Sequence, residues 1–296
     1  MARITLTMGP VLFNWPVTLW RDFYFRLADE APVEHVCVGE VVCSKREPFF
    51  ADALADVVER LERGGKTVIL SSLALPTLER EVQQAAALAG GAHIVEANDT
   101  SALPHLMGRP YIVGPLVNVY NEATAAFLAR RGATRIALPP ELPMTSIAAI
   151  AEAVPNLAIE VWAFGRAPLA ISARCYHARL NGRSKDSCQF ACEKDLNGLD
   201  VRTLDDQQFL AVNGVQTLSY AYCSLLKEIP QLVQLGVAAL RLSPHTCDMV
   251  RVAALFREVL DGRRDPEGAQ SALRAICPDA EFSNGFVRGA AGASFV

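Results

Sequence analysis

The sequence predicts an α/β protein arranged as a (β/α)8 TIM-like barrel, complete or slightly distorted. Short apolar runs with strand character recur along the chain, and most segments between them carry helical periodicity. Polar or turn residues follow many of these runs, at the rim where barrel enzymes carry their sites. Eight runs qualify: "ITLTM", "HVCVG", "TVILS", "AHIVE", "PYIVG", "TRIAL", "AIEVW" and "AALRL". That is the number a closed parallel barrel needs, although an open doubly wound sheet shares the same periodicity.

The elements follow in order. "ITLTMGP" leads into "TLWRDFYFRLAD", where Leu19, Phe23 and Leu27 recur at helical spacing. "HVCVGE" leads to "PFFADALADVVERLERGG", and "KTVILSS" to "TLEREVQQAAALAGG". "AHIVEAND" and "RPYIVGPL" come next, the latter followed by "NEATAAFLARRG". "TRIALPPEL" precedes "SIAAIAEAV", and "LAIEVWAFG" supplies the seventh strand. The eighth, in "VAALRLSPH", follows "LLKEIPQLVQLG", and a last helix runs through "VAALFREVLDG". Residues 163–235 fit the repeat poorly and read as an insertion near the C-terminal rim of a single barrel-like domain over residues 1–296. "FLAVNGVQTLSYAYCSLL" within it has the character of one or two further strands.

A chain of 296 residues buries about 75% of its unfolded surface, so the core has no need of disulfides or a structural metal. A net charge of -4 offers no global basic field, and nucleic acid is not an expected partner. The opening "MARITLTMGPVLFNWPV" reads as a first strand rather than a signal peptide, which points to the cytoplasm. The apolar window from Phe209 to Leu226 carries Asn213, Gln216, Thr217, Ser219 and Ser224, too polar for a membrane span. In a reducing compartment the eight cysteines read as free, metal-bound or catalytic rather than bridged. Rossmann, GxxxxGK and HExxH motifs are absent from the sequence.

Three of those cysteines, Cys175, Cys188 and Cys192, fall in the polar stretch "SARCYHARLNGRSKDSCQFACEKDLNG", where little core is available to hold a packing thiol. Cys188 and Cys192 in "CQFAC" have the spacing of one helical turn and could converge on one metal centre. Three thiolates want a fourth ligand. Cys43 in "GEVVCSKR" follows the second strand and would reach the same rim; Cys247 in "SPHTCDM" is its competitor. Cys37 alternates inside "HVCVG" as a core thiol, and Cys223 and Cys277 read as packing or surface residues. Spacing does not choose between tetrahedral zinc and an iron–sulfur centre.

Taken together, "TMGPVLFNWP", "GEVVCSKR", "SARCYHAR", the C-x3-C pair, "NGVQTLS" and "LRLSP" resemble the bacterial collagenase-like peptidase family over nearly the whole chain. The resemblance is to its branch assigned to oxygen-independent ubiquinone biosynthesis. It implies a [4Fe-4S] cluster on Cys43, Cys175, Cys188 and Cys192. It also implies a heterodimer with a homologous UbiU-like subunit, a UbiT-like lipid-binding accessory protein, ubiquinone precursors as substrates and prephenate as the oxygen donor. Peptidase-like relatives carry a His and a Cys before the "SGRC" motif; Phe164 and Leu169 stand in those places here, so that spot offers no nucleophile or base.

The function so implied is that of an iron–sulfur subunit of an oxygen-independent hydroxylase. The alternatives are a cluster-bearing scaffold or electron-transfer partner without catalysis of its own, a hydrolase, and an RNA-modifying member of the same family. Glu40, Arg174, His177, Arg179, Lys185 and Asp186 lie close in sequence to the cysteines and are candidates for tuning the centre or steering an anion. Glu160 and Asn118, near strand ends, are candidates for lining a substrate cavity.

Overall fold

The structure is a computed structural model and describes residues 3–296. The first six strands alternate with helices: β1 (Thr5–Met8), α1 (Val17–Glu30), β2 (His35–Val38), α2 (Ala51–Arg63), β3 (Thr67–Ser71), α3 (Glu79–Ala89), β4 (Ile94–Ala97), α4 (Leu103–Leu106), β5 (Tyr111–Val113), α5 (Glu122–Ala129), β6 (Ala133–Ala137) and α6 (Met144–Ala153). There follow β7 (Ala158–Ile171), α7 (Tyr176–Leu180), β8 (Leu199–Arg202), β9 (Gln208–Asn213), β10 (Gln216–Ser224), α8 (Ile229–Gln234), β11 (Ala239–Leu242), α9 (Met249–Leu260), α10 (Pro266–Ile276) and β12 (Phe282–Ser283). Strands β1 to β7 pair in sequence order, all parallel, and β11 pairs with both β7 and β1. The sheet therefore closes into an eight-stranded (β/α)8 barrel with helices around it. Ala239 stands opposite Glu160 on one side and Thr5 on the other.

β7 is the hinge between barrel and rim. As far as Phe164 it pairs in parallel with β11; from Phe164 to Ile171 it pairs antiparallel with β10, which continues into β9 and β8. A rim sheet thus grows out of a barrel strand at its C-terminal end, and the cysteine-rich segment hangs between β7 and β8. The β9–β10 hairpin turns on Gly214 and Val215, with Asn213 paired to Gln216. Gly214 has φ of +61°, the conformation that a two-residue hairpin turn asks of its first residue.

The barrel interior is only partly the aliphatic filling such cores usually have. Cys37, Ile69 and Ile112 pack together with Ile94, which makes Cys37 the core thiol the alternation implied. Beside them lies a charged layer. Arg241 Nε donates to Glu160 Oε1 at 2.6 Å and its Nη2 donates to Glu96; Arg135 Nη1 donates to Glu160 Oε2 at 3.1 Å. Thr7 and Ser71 hydroxyls complete the carboxylates at 2.8 and 2.7 Å. Two carboxylates face two guanidiniums, so the buried charges cancel. Glu160 is fully enclosed in this layer, its carboxylate taken up by Arg241, Arg135 and Thr7, and Asn118 is exposed in a left-handed turn.

Two elements differ from the sequence reading. On α1 the buried face runs through Trp20, Tyr24 and Leu27, while Leu19 is 38% exposed. The larger aromatic surface wins the inward position, and Trp20 stacks on Phe50 with centroids 4.9 Å apart. Helix α10 went unread because it buries only Ala269, Gln270 and Leu273, too few apolar positions to show a period. Its start was legible, since Asp265 caps Gly268 N at 2.7 Å with Pro266 next.

Candidate functional site

Cys43, Cys175, Cys188 and Cys192 line one cavity at the barrel rim, with about 390 Å³ of space between its walls, part of it open to solvent. Cys43 arrives on the loop after β2. Glu40 folds that loop by accepting from Val42 N at 2.7 Å and Cys43 N at 2.8 Å. Cys175 is the N-cap of α7, its sulfur accepting from Ala178 N at 3.4 Å. Cys188 and Cys192 do not share an α-helical turn as their spacing suggested. Gln189 and Phe190 between them both have positive φ, +49° and +51°, before a short 3-10 turn over Ala191–Lys194. Two successive left-handed non-glycine residues are strained by roughly 1–2 kcal/mol each. Strain of this kind gathers at functional sites. Phe190 is held by an edge-on contact with Phe49, centroids 4.6 Å apart.

Arg46, three residues after Cys43, forms the cavity's buried wall and is only 1% exposed. Its Nη1 donates to Leu12 O at 2.9 Å and its Nη2 to Asn213 Oδ1 at 3.0 Å, while Nε has no partner. Asn213 reaches Leu12 O as well, at 2.7 Å, so the β9–β10 hairpin and the N-terminal loop are tied together behind the cavity. The tie depends on Gly214: a Cβ there would stand 2.8 Å from Arg46 Nη2. Burial alone would lower the Arg46 pKa, but Glu40 and the nearby Cys192 and Cys43 thiols hold it above its ordinary value. Burial raises the thiols of Cys43 and Cys175, Arg46 opposing it at Cys43.

The remaining predicted neighbours divide. His177 is buried in the cavity wall and its Nε2 sits 2.8 Å from Asp195 Oδ2. Burial lowers its pKa against the pull of Asp195, so at neutral pH the ring is uncharged and donates from Nε2. Lys185 lines the cavity; Asp186 lies 3.6 Å from Lys45 Nζ. Arg174 and Arg179 are exposed and stand outside the cavity wall. Cys247 is not at this cavity; it lines another with Cys277. Arg46 and Asn213 were missed by the sequence reading. Their signal, a cation in "CSKR" and an Asn-Gly turn, is too common to single out before the fold joins them.

Among the described residues, no group of three or more His, Cys, Asp or Glu is gathered as a single metal ion requires. The four thiols line one cavity wall, and four cysteine thiolates are the donor set that a [4Fe-4S] centre takes. The unpartnered Arg46 Nε adds a buried cation where such a centre would carry negative charge. Donor set and electrostatics therefore fit an iron–sulfur cluster.

The sequence model of peptidase family U32 matches residues 24–294. The chain belongs to that family. Among solved structures it is similar to the N-acetylneuraminate lyase of Fusobacterium nucleatum, with a TM-score of 0.48 and 10% identity over 93% of this chain and 82% of the lyase. The lyase of Mycoplasma synoviae gives 0.47 and 8%, covering 93% and 80%. Neither likeness bears on the chemistry of this member of family U32. No described helix is long and apolar enough to cross a membrane.

Proposed function

We propose that this member of family U32 is a UbiV-type iron–sulfur subunit of an oxygen-independent hydroxylase, working in the cytoplasm on ubiquinone precursors beside a UbiU-like partner. The observation that carries the reading is the convergence of Cys43 with Cys175, Cys188 and Cys192 on one cavity backed by Arg46. These four residues would hold a [4Fe-4S] cluster, which supplies one-electron transfer when bound. The chain's own contribution is positional. Glu40 fixes the Cys43 loop, Arg46 and Asn213 brace the cavity against the hairpin, and the neutral His177 is held by Asp195. Prephenate as oxygen donor, the UbiT-like accessory protein, and residues 163–235 as an insertion on a single domain belong to the same proposal.

Anaerobic purification of the full chain tests it. Iron and sulfide in equal amounts, about four of each per chain, together with a 1:1 complex on size exclusion after co-expression with the UbiU-like subunit, are expected. A colourless protein binding a single zinc, or two separate peaks, would contradict it.

A further inference from the structure

Cys247 and Cys277 lie far from the cysteines of the proposed centre in the fold's wiring, yet they meet each other. Cys247 follows β11 and Cys277 caps the end of α10, and both line a polar pocket with about 1000 Å³ of space, shared with Arg166 and Tyr222. It offers more space than the cavity lined by Cys43, Cys175, Cys188 and Cys192. Both thiols stand on the wall of the larger pocket and each perturbs the other's proton affinity, and Cys247 Sγ lies 3.8 Å from Met249 Sδ. Both cysteines are free. A thiol pair on one pocket wall differs from Cys37, which is packed among Ile69, Ile112 and Ile94 in the core, and from Cys223, which lines a separate apolar pocket without a second thiol.

We propose that this pocket is a thiol–disulfide exchange site, in which Cys247 and Cys277 are joined by reaction with a low-molecular-weight disulfide. The Cys277 thiolate attacks one sulfur of the disulfide, forming a mixed disulfide and releasing one thiolate. Cys247 then loses its proton and attacks the Cys277 sulfur, closing the internal bond and releasing the second thiolate. The two protons end on the two released thiols; the protein pair loses two electrons and the small disulfide gains them. The order of attack follows from the pairing. The interaction with Cys247 lowers the Cys277 thiol against its burial, while that same interaction and burial push Cys247 well above the ordinary range.

The pair is also wired to the cysteine-bearing loop. Thr246, beside Cys247, accepts from Asn197 Nδ2 at 2.6 Å and donates its N–H to Asn197 Oδ1 at 3.0 Å. Asn197 follows Cys192 by five residues and lines the same pocket as the thiol pair. Closing a bond at Cys247 would fix the loop that Asn197 leans on.

The test uses the anaerobically purified full chain titrated with oxidised glutathione, quenched by alkylation and mapped by peptide mass. The expected result is one Cys247–Cys277 disulfide peptide, lighter than the dithiol form by two hydrogens and reopened by dithiothreitol, with iron content unchanged. Cys277→Ser should slow modification of Cys247 at least tenfold. Glutathione adducts on either cysteine without a cross-link, or alkylation of both in full after titration, would overturn the proposal. Loss of iron in Cys247→Ser would overturn it too, since that residue would then be a cluster ligand. The wild-type experiment needs no variant to fold, and a chain that holds no iron would sink the hydroxylase reading while leaving this one open to the same peptide map.

Discussion

Replacing Glu160 by Gln tests the charged layer on which the rim site is built. Glu160 is fully buried and receives Arg241 Nε at 2.6 Å, Arg135 Nη1 at 3.1 Å and Thr7 Oγ1 at 2.8 Å. An amide keeps the shape but carries no charge, and its NH2 can only donate where Arg135 and Thr7 already donate. Arg241 and Arg135 would be left with one buried counter-ion, Glu96, between them. Breaking a buried pair in this way costs about 3–5 kcal/mol. Urea unfolding monitored by tryptophan fluorescence should show that loss at pH 7. Burial pushes the Glu160 carboxyl up, but Arg241 and Arg135 outweigh it and hold the group below its ordinary value. A carboxylate depressed in the folded state adds stability above its unfolded pKa, about 4.3. That stability is lost as pH falls through the folded value, so the gap between wild type and Glu160→Gln should close across the acid range. Glu40 and Glu228 are shifted upward by burial, in the opposite sense, but are common to both proteins and cancel in the difference. A loss under about 1 kcal/mol, within the reach of a surface pair, or a gap that stays constant down to pH 3, would refute the reasoning.

Three further outcomes follow from the cavity. Arg46→Met leaves Asn213 Oδ1 without its donor. That costs about 1–3 kcal/mol, and removing the buried cation should lower iron retention, with Arg46→Lys intermediate; equal iron in all three would separate Arg46 from the centre. Gly214→Ala forces a side chain into φ of +61° and against Arg46 Nη2. A loss of about 1–2 kcal/mol with reduced iron is expected by thermal unfolding and iron assay, and a neutral result would remove the hairpin's bracing role. At Gln189, with φ of +49°, Gly should be neutral or slightly stabilising and Val destabilising by more than about 1 kcal/mol; the reverse order would mean the left-handed turn is wrong.

What the sequence made legible was whatever depends on local period and type. Eight apolar runs with turn residues after them pointed to the barrel, and the pairing of β11 with both β1 and β7 is what closes it. Cys175, Cys188 and Cys192 stood out because a polar segment gives a thiol nothing to pack against. What stayed hidden depends on distant pairing. β7 reads as one strand but serves two sheets, and only its register with β10 and β11 shows where one ends. The turn between Cys188 and Cys192 could not be read as left-handed because Gln and Phe rarely adopt it; the surrounding fold imposes the conformation. Cys43 and Cys247 were alike on sequence, each after a barrel strand. They separate in space, Cys43 beside Cys175 and Cys247 beside Cys277.

That separation gives the most direct measurement of the central claim. Each cysteine is replaced singly by Ala, the protein is purified without oxygen, and iron and sulfide are determined per folded chain. Cys43, Cys175, Cys188 and Cys192 share the cavity, so each of those variants should lose most of its iron. Cys37→Ala, Cys223→Ala, Cys247→Ala and Cys277→Ala should keep the wild-type content. Iron lost in Cys247→Ala but kept in Cys43→Ala would contradict the ligand set and the reading of this cavity as the metal centre.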